Sequence, residues 1–214
     1  AKGEKELESV KNDLAEVKKA ALRARDLVGQ IMAFSRHTGK ELVPMDIGSS
    51  VRESLKILYS MLPKNIRIKS SIETDGIILG SSTQLHQVIT NLITNAVQSM
   101  SDKGGEIEVA LKKTGREDPG CPNDPDMPEG PCFKLSVRDT GRGMTSKVLS
   151  RIFDPYFTTK DSGQGAGLGL SVIHGIVKSL GGVIFCVSEP GKGTTFDVYI
   201  PELKEGIVTG AGGV

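Results

Sequence analysis

The chain has 214 residues, 37% of them hydrophobic and 4% aromatic with no tryptophan, so it can build an aliphatic core of about one two-layer domain. Its 27 basic and 26 acidic residues leave a formal charge of +1, which gives no electrostatic footprint for nucleic acid or a membrane surface. No run reaches the roughly 18 apolar residues of a spanning helix. The charged opening AKGEKELESV does not read as a secretory leader. A cytoplasmic location is expected from the unpaired cysteines, with any membrane anchor elsewhere in a full-length protein. Cys121, Cys132 and Cys186 lack the CxxC pair or histidine cluster of a zinc site. Reduced thiols fit them best, a loop disulfide being the less favoured alternative.

Residues 3–36 read as one helix with a heptad seam at Leu7, Val10, Leu14, Val17, Ala21, Ala24, Val28 and Ile31. A single charged helix cannot bury that seam alone and must pack on a partner, as a coiled-coil spacer or as a dimerisation helix. Gly39 and Pro44 break it. A helix is expected over 46–62, short strands over 65–72 and 76–80, and a strong helix over 82–100. Alternation predicts strands at 106–113 and 133–139, separated by the loop TGREDPGCPNDPDMPEGP, which shows no sign of catalytic order. A short helix over 145–152, a glycine-rich stretch over 160–167, a helix over 168–180 and strands over 183–188 and 194–200 complete the pattern. The order suggests a two-layer α/β sandwich, a mixed sheet with helices on one face.

Four features carry chemistry. On the helix 82–100, Gln84, Gln87, Asn91, Asn95 and Gln98 fall on one stripe and Leu85, Val88, Ile89, Leu92 and Ala96 on another. Water-facing amides would explain the first stripe. So would a Mg²⁺ ligand beside a polyphosphate, since that ion takes neutral oxygen donors and shares its shell with phosphates. The segment VRDTGRGM ends a strand on Asp139, an acceptor for an exocyclic amine, followed by Gly141 and Gly143, which let backbone approach a ligand. In IFDPYFTTK and the following SGQGAGLGLS, alternating Gly163, Gly165, Gly167 and Gly169 run into a helix start. Free backbone N–H groups there, with Lys160 nearby, suit anionic phosphate. Finally, PGKGTTFDVYIP turns at Gly191 and Gly193 into a last strand.

Taken together, these motifs resemble, in order and spacing, the N, G1, F, G2 and G3 boxes of the sensor histidine kinase catalytic domain, of the ATPase superfamily (Bergerat or GHKL fold) shared with gyrase, MutL and Hsp90. The resemblance spans roughly 20–201, and FDPYFTTK with GAGLGLS is most similar to nitrogen-regulation-type and hybrid sensor kinases. It implies ATP and Mg²⁺ as cofactors, with Asn95 as metal ligand and Asn91 one turn earlier on the same face. It implies Asp139 on the adenine amino group, Gly141 and Gly143 shaping the pocket, and Thr194 on the adenine side. Phe153 and Phe157 would anchor a lid; Thr158, Thr159 and Lys160, then Gly165, Gly167, Leu168 and Gly169, would surround the phosphates. Ala166 stands where threonine is usual, and GSSTQL lacks the acid common before this helix.

ALRARDLVGQIMAFSR resembles the second helix of the dimerisation and phosphotransfer hairpin. The resemblance therefore divides the chain into 1–40, part of that hairpin without its acceptor helix; 41–203, the ATP-binding catalytic domain; and 204–214, a flexible tail. Expected partners are a second copy, through the N-terminal helix, and a response-regulator receiver domain. His37, His86 and His174 lack the acceptor-box context, so no autophosphorylation by this chain alone is expected. Two rival readings are a GHKL-type ATPase and a non-catalytic nucleotide-sensing or dimerisation module.

Overall fold

The computed structural model describes residues 13, 14, 17, 42–100, 103–159 and 167–203. The expected helix 3–36, His37, the tail 204–214 and the site residues Lys160, Gly163, Gly165 and Ala166 lie outside these, apart from three helical positions within 3–36.

The first element is one the sequence reading passed over. Val43–Asp46 forms strand β1, with Pro44 inside it, paired antiparallel to β3 (Ile77–Gly80) in a two-stranded sheet. Pro44 was expected only to stop a helix. A proline is tolerated here because Pro44 is out of phase with Ile47, whose N–H bonds the Gly76 carbonyl at 2.9 Å in the same register, so its nitrogen faces away from β3 and no ladder bond is lost. Asp46 ends β1 and caps α1 (Ile47–Tyr59). Its Oδ1 accepts from the Ser49 N–H at 2.5 Å and its Oδ2 from the Gly76 N–H at 3.0 Å, tying helix start to ribbon.

The main sheet has strand order β2-β4-β5-β7-β6, from β2 (Ile66–Ile72), β4 (Gly105–Gly115), β5 (Pro131–Asp139), β6 (Val183–Glu189) and β7 (Gly193–Pro201). β2 and β4 run parallel; the other neighbours are antiparallel. α1, α2 (Ser82–Ser99) and α4 (Gly169–Ser179) cover one face; α3 (Ser146–Leu149) is a single turn. Each long helix puts its apolar stripe inward: Val51, Leu55 and Leu58; Leu85, Ile89 and Leu92; Val172, Ile173 and Ile176. They meet Ile107, Val109, Leu111, Phe133, Leu135, Val137 and Val198, the alternate residues of the central strands.

The loop between β4 and β5, expected as a surface loop with no sign of catalytic order, covers part of the opposite face. Met127, 2% exposed, packs with Cys132, Val183 and Tyr199 in a second small core. Arg116 holds the loop from within, its Nη2 donating to the carbonyls of Asp124, Pro125 and Met127 at 3.2, 3.1 and 2.8 Å. One guanidinium satisfying three carbonyls replaces the secondary structure that the Pro and Gly content forbids.

All three cysteines are free thiols. Burial pushes the Cys132 thiol up to about 11 and the Cys186 thiol to about 12. Because thiolate is the reactive form, an aromatic disulfide reagent at mildly alkaline pH is expected to titrate Cys121 first. Cys132, fully buried, should react only on unfolding. Rapid modification of Cys132 in the native protein would contradict its burial.

Candidate functional site

The site follows from the alternation of β5. Phe133, Leu135 and Val137 point to the helix layer, and Asp139 is the next residue in that series, so its carboxylate is carried under the last turn of α2. It is 5% exposed. Oδ1 accepts from Ser99 Oγ at 3.0 Å and from the Gly141 N–H at 2.7 Å, and the Thr194 backbone adds a hydrogen bond. Burial pushes the carboxyl above its ordinary value despite these donors. β7 starts beside it in the register Asp139–Thr194, and Thr194 Oγ1 lies 2.9 Å from Ser188 Oγ.

A cavity of about 460 Å³ opens from this strand end. Asn91, Asn95 and Gln98 of α2 form one wall; Thr158, Thr159 and the Gly167–Leu168–Gly169 turn form another. Gly143 and Thr194 lie at the Asp139 end, and Phe157 lines the cavity with the Arg151 guanidinium 4.5 Å from its ring centre. Asn91 Nδ2 is 3.5 Å from the Gly169 carbonyl oxygen, a long contact that bridges α2 to the start of α4.

Several expected residues sit elsewhere. Phe153 does not line the cavity; it packs on the core and its ring centre is 5.3 Å from that of His174. Gly141 acts through its N–H on Asp139. The amide stripe divides, since Gln84 is buried with its Oε1 unpartnered and only the last two turns of α2 turn Asn91, Asn95 and Gln98 to the cavity. His86 is hydrogen-bonded to Ser54 at 3.1 Å and, like His174, does not line the cavity.

Sequence reading missed Ser99 and Arg142, which line the cavity, and its apolar floor of Met144, Val148 and Ile152. Ser99 was within reach: it lies one turn after Asn95 on the same helix face. The floor was not, because short apolar residues near a single helical turn carry no period.

The cavity thus offers a buried carboxylate acceptor at one end, apolar surface beneath it, and amides with a helix start at the other. That suits a flat ring bearing an amino group joined to a polyanion. Fold and site together define a nucleotide-binding α/β sandwich.

The chain belongs to the histidine kinase-, DNA gyrase B- and HSP90-like ATPase family, whose model matches residues 80–204. It is 37% identical over 194 residues to the sensor kinase CckA of Brucella abortus (strain 2308), covering 90% of this chain and 20% of that one. Among solved structures it resembles the catalytic domain of histidine kinase ThkA, at 25% identity and TM-score 0.61, covering 76% of this chain and 97% of that one. Full-length ShkA in complex with AMPPNP matches with TM-score 0.63 at 23% identity, over 83% of this chain and 35% of that one. The chain spans about a fifth of the length of the curated kinases it matches first. Among the described residues no helix is long and apolar enough to cross a membrane.

Proposed function

We propose that this chain is the ATP-binding catalytic region of a two-component sensor histidine kinase. It transfers the γ-phosphoryl group to a histidine outside these 214 residues, for relay to a response-regulator receiver domain. The observation that carries this reading is the buried Asp139 carboxylate, aimed into a cavity whose far wall is Asn91, Asn95 and the start of α4.

In this reading Asp139 accepts from the adenine amino group, Thr194 and the Gly141–Gly143 turn hold the ring edge, and Phe157 closes over it. Gly167, Leu168 and Gly169 present backbone N–H groups to the phosphates, joined by Thr158, Thr159, Lys160 and Gly165. Asn95, a neutral oxygen donor at the cavity wall, would hold Mg²⁺. When bound, the ion offsets phosphate charge. Phe153 steadies the segment from behind, through the core and His174. An incoming imidazole forms the N–P bond as the bond to the ADP oxygen breaks, a step that rests on positioning and electrostatics. The segment 1–40 supplies half of a dimerisation hairpin joining two copies, 41–203 is the catalytic domain, and 204–214 is a tail.

Asn91 separates phosphotransfer from hydrolysis. An amide cannot take a proton from water, whereas a carboxylate at this place could. Asn91→Glu is expected to raise steady-state ATP hydrolysis measurably above that of the unmodified chain; an unchanged rate would remove this argument. The reading as a whole is tested in the full-length protein with ATP labelled at the γ-phosphate. Acid-labile, base-stable label on the protein, lost in Asn95→Ala, is expected. Release of free phosphate without protein label would overturn it in favour of an ATPase.

A further inference from the structure

The face of the sheet turned away from the helices carries two thiols that nucleotide chemistry does not use. The 116–130 loop starts and ends at the paired residues Gly115 and Pro131, so it folds back over the strand ends it connects. Asp118 fixes its first turn: Oδ2 accepts from Thr114 Oγ1 at 2.6 Å and from the Gly115 N–H at 2.7 Å, while the Asp118 carbonyl accepts from the Cys121 N–H at 3.0 Å. Arg116 and the buried Met127 hold the rest. Cys121 is thereby packed against the small core that contains Cys132.

The two thiols differ in access. Cys132 is 0% exposed, while Cys121 is partly exposed at the rim of the same cluster. Cys186 is no competitor, because it packs against the helix-side core, with the sheet between it and this cluster. Among the described residues no third histidine, cysteine or carboxylate joins the pair to make a metal site.

We infer that Cys121 and Cys132 form a dithiol modification site that closes to an intramolecular disulfide when hydrogen peroxide is supplied. Cys121 sulfur attacks the peroxide; the S–O bond forms, the O–O bond breaks, and hydroxide leaves to become water. Cys132 sulfur then attacks Cys121 sulfur. The S–S bond forms, the S–O bond breaks, and a second water leaves with the Cys132 proton. Two thiols and one peroxide give one disulfide and two waters. Cys132 is fully buried and Cys121 partly exposed, so Cys121 meets peroxide first as the attacking thiol and Cys132 is the resolving one.

The test is peroxide treatment of the full chain, alkylation without reductant, and mass mapping of the tryptic fragment 117–134, which contains both thiols and not Cys186. The expected fragment has lost two hydrogens, takes up no alkylating group, and regains both sites after dithiothreitol. In Cys121→Ser, Cys132 stays a free thiol that alkylates after unfolding. Oxygen atoms added to Cys121 with Cys132 still alkylatable, or disulfide-linked dimers through Cys121, would overturn the inference.

Discussion

Asp139→Asn is expected to weaken adenine nucleotide binding by about 100-fold while raising the midpoint of thermal unfolding. Both effects follow from one carboxylate. The amide keeps an oxygen to accept from Ser99 and the Gly141 N–H, so those two contacts hold the strand end, and only the smallest of the three hydrogen bonds, from the Thr194 backbone, is open to loss. Its NH₂ then meets the ligand's amino group, donor against donor. Losing a charged hydrogen bond and leaving buried donors unpaired costs about 3 kcal/mol, which corresponds to that fold-change.

The stability change has the opposite sign. Burial raises the Asp139 carboxyl, so the native state holds its proton to higher pH than the unfolded chain does. Native stability therefore falls as pH rises from the ordinary carboxylate value through the raised one, and stays lower above it. The variant lacks this loss, so its advantage in thermal midpoint should be larger at neutral pH than at pH 4. Calorimetric titration and thermal melts at both pH values check the pair. A variant that binds nucleotide as before, or loses binding only because it unfolds, would contradict the role given to Asp139.

Gly193→Ala is the second large effect, expected to destabilise the domain by about 3 kcal/mol or more. Gly193 opens β7 at φ +91°, and a methyl group there would overlap the Asp139 carbonyl oxygen. That atom is backbone, fixed in the β5–β7 register, so neither strand can yield without moving Asp139 and Thr194. Gly120 separates conformational strain from overlap. It has φ +88° with nothing within 4 Å of a built methyl group, so Gly120→Ala should cost about 1 kcal/mol. Denaturant melts of the two variants measure the difference. Equal losses would mean that backbone conformation, and not the strand contact, dominates at Gly193.

Legibility in the sequence followed period. The α2 stripe of Leu85, Ile89 and Leu92 and the alternation of Phe133, Leu135 and Val137 recur often enough to place helix and strand, and in β5 the same alternation leads to Asp139. β1 was missed because four residues containing Pro44 hold no period, and their pairing is with β3, more than thirty positions away. The order of the 116–130 loop was also invisible, since it depends on one Arg116 guanidinium meeting three carbonyls that no pattern brings together.

The site divided along the same line. Asn91, Asn95, Asp139 and Thr194 stood in motifs. The packing of Phe153 away from the cavity, and the part of Ser99 beneath Asp139, needed three-dimensional neighbours.

The most direct measurement is a titration of the unmodified chain with a fluorescent ATP analogue, with and without Mg²⁺. Saturable binding is expected, strengthened by Mg²⁺ and displaced by unlabelled ATP, with the Mg²⁺ effect lost in Asn95→Ala. Absence of saturable binding by the folded chain would contradict the nucleotide site, and with it the kinase reading built on that site.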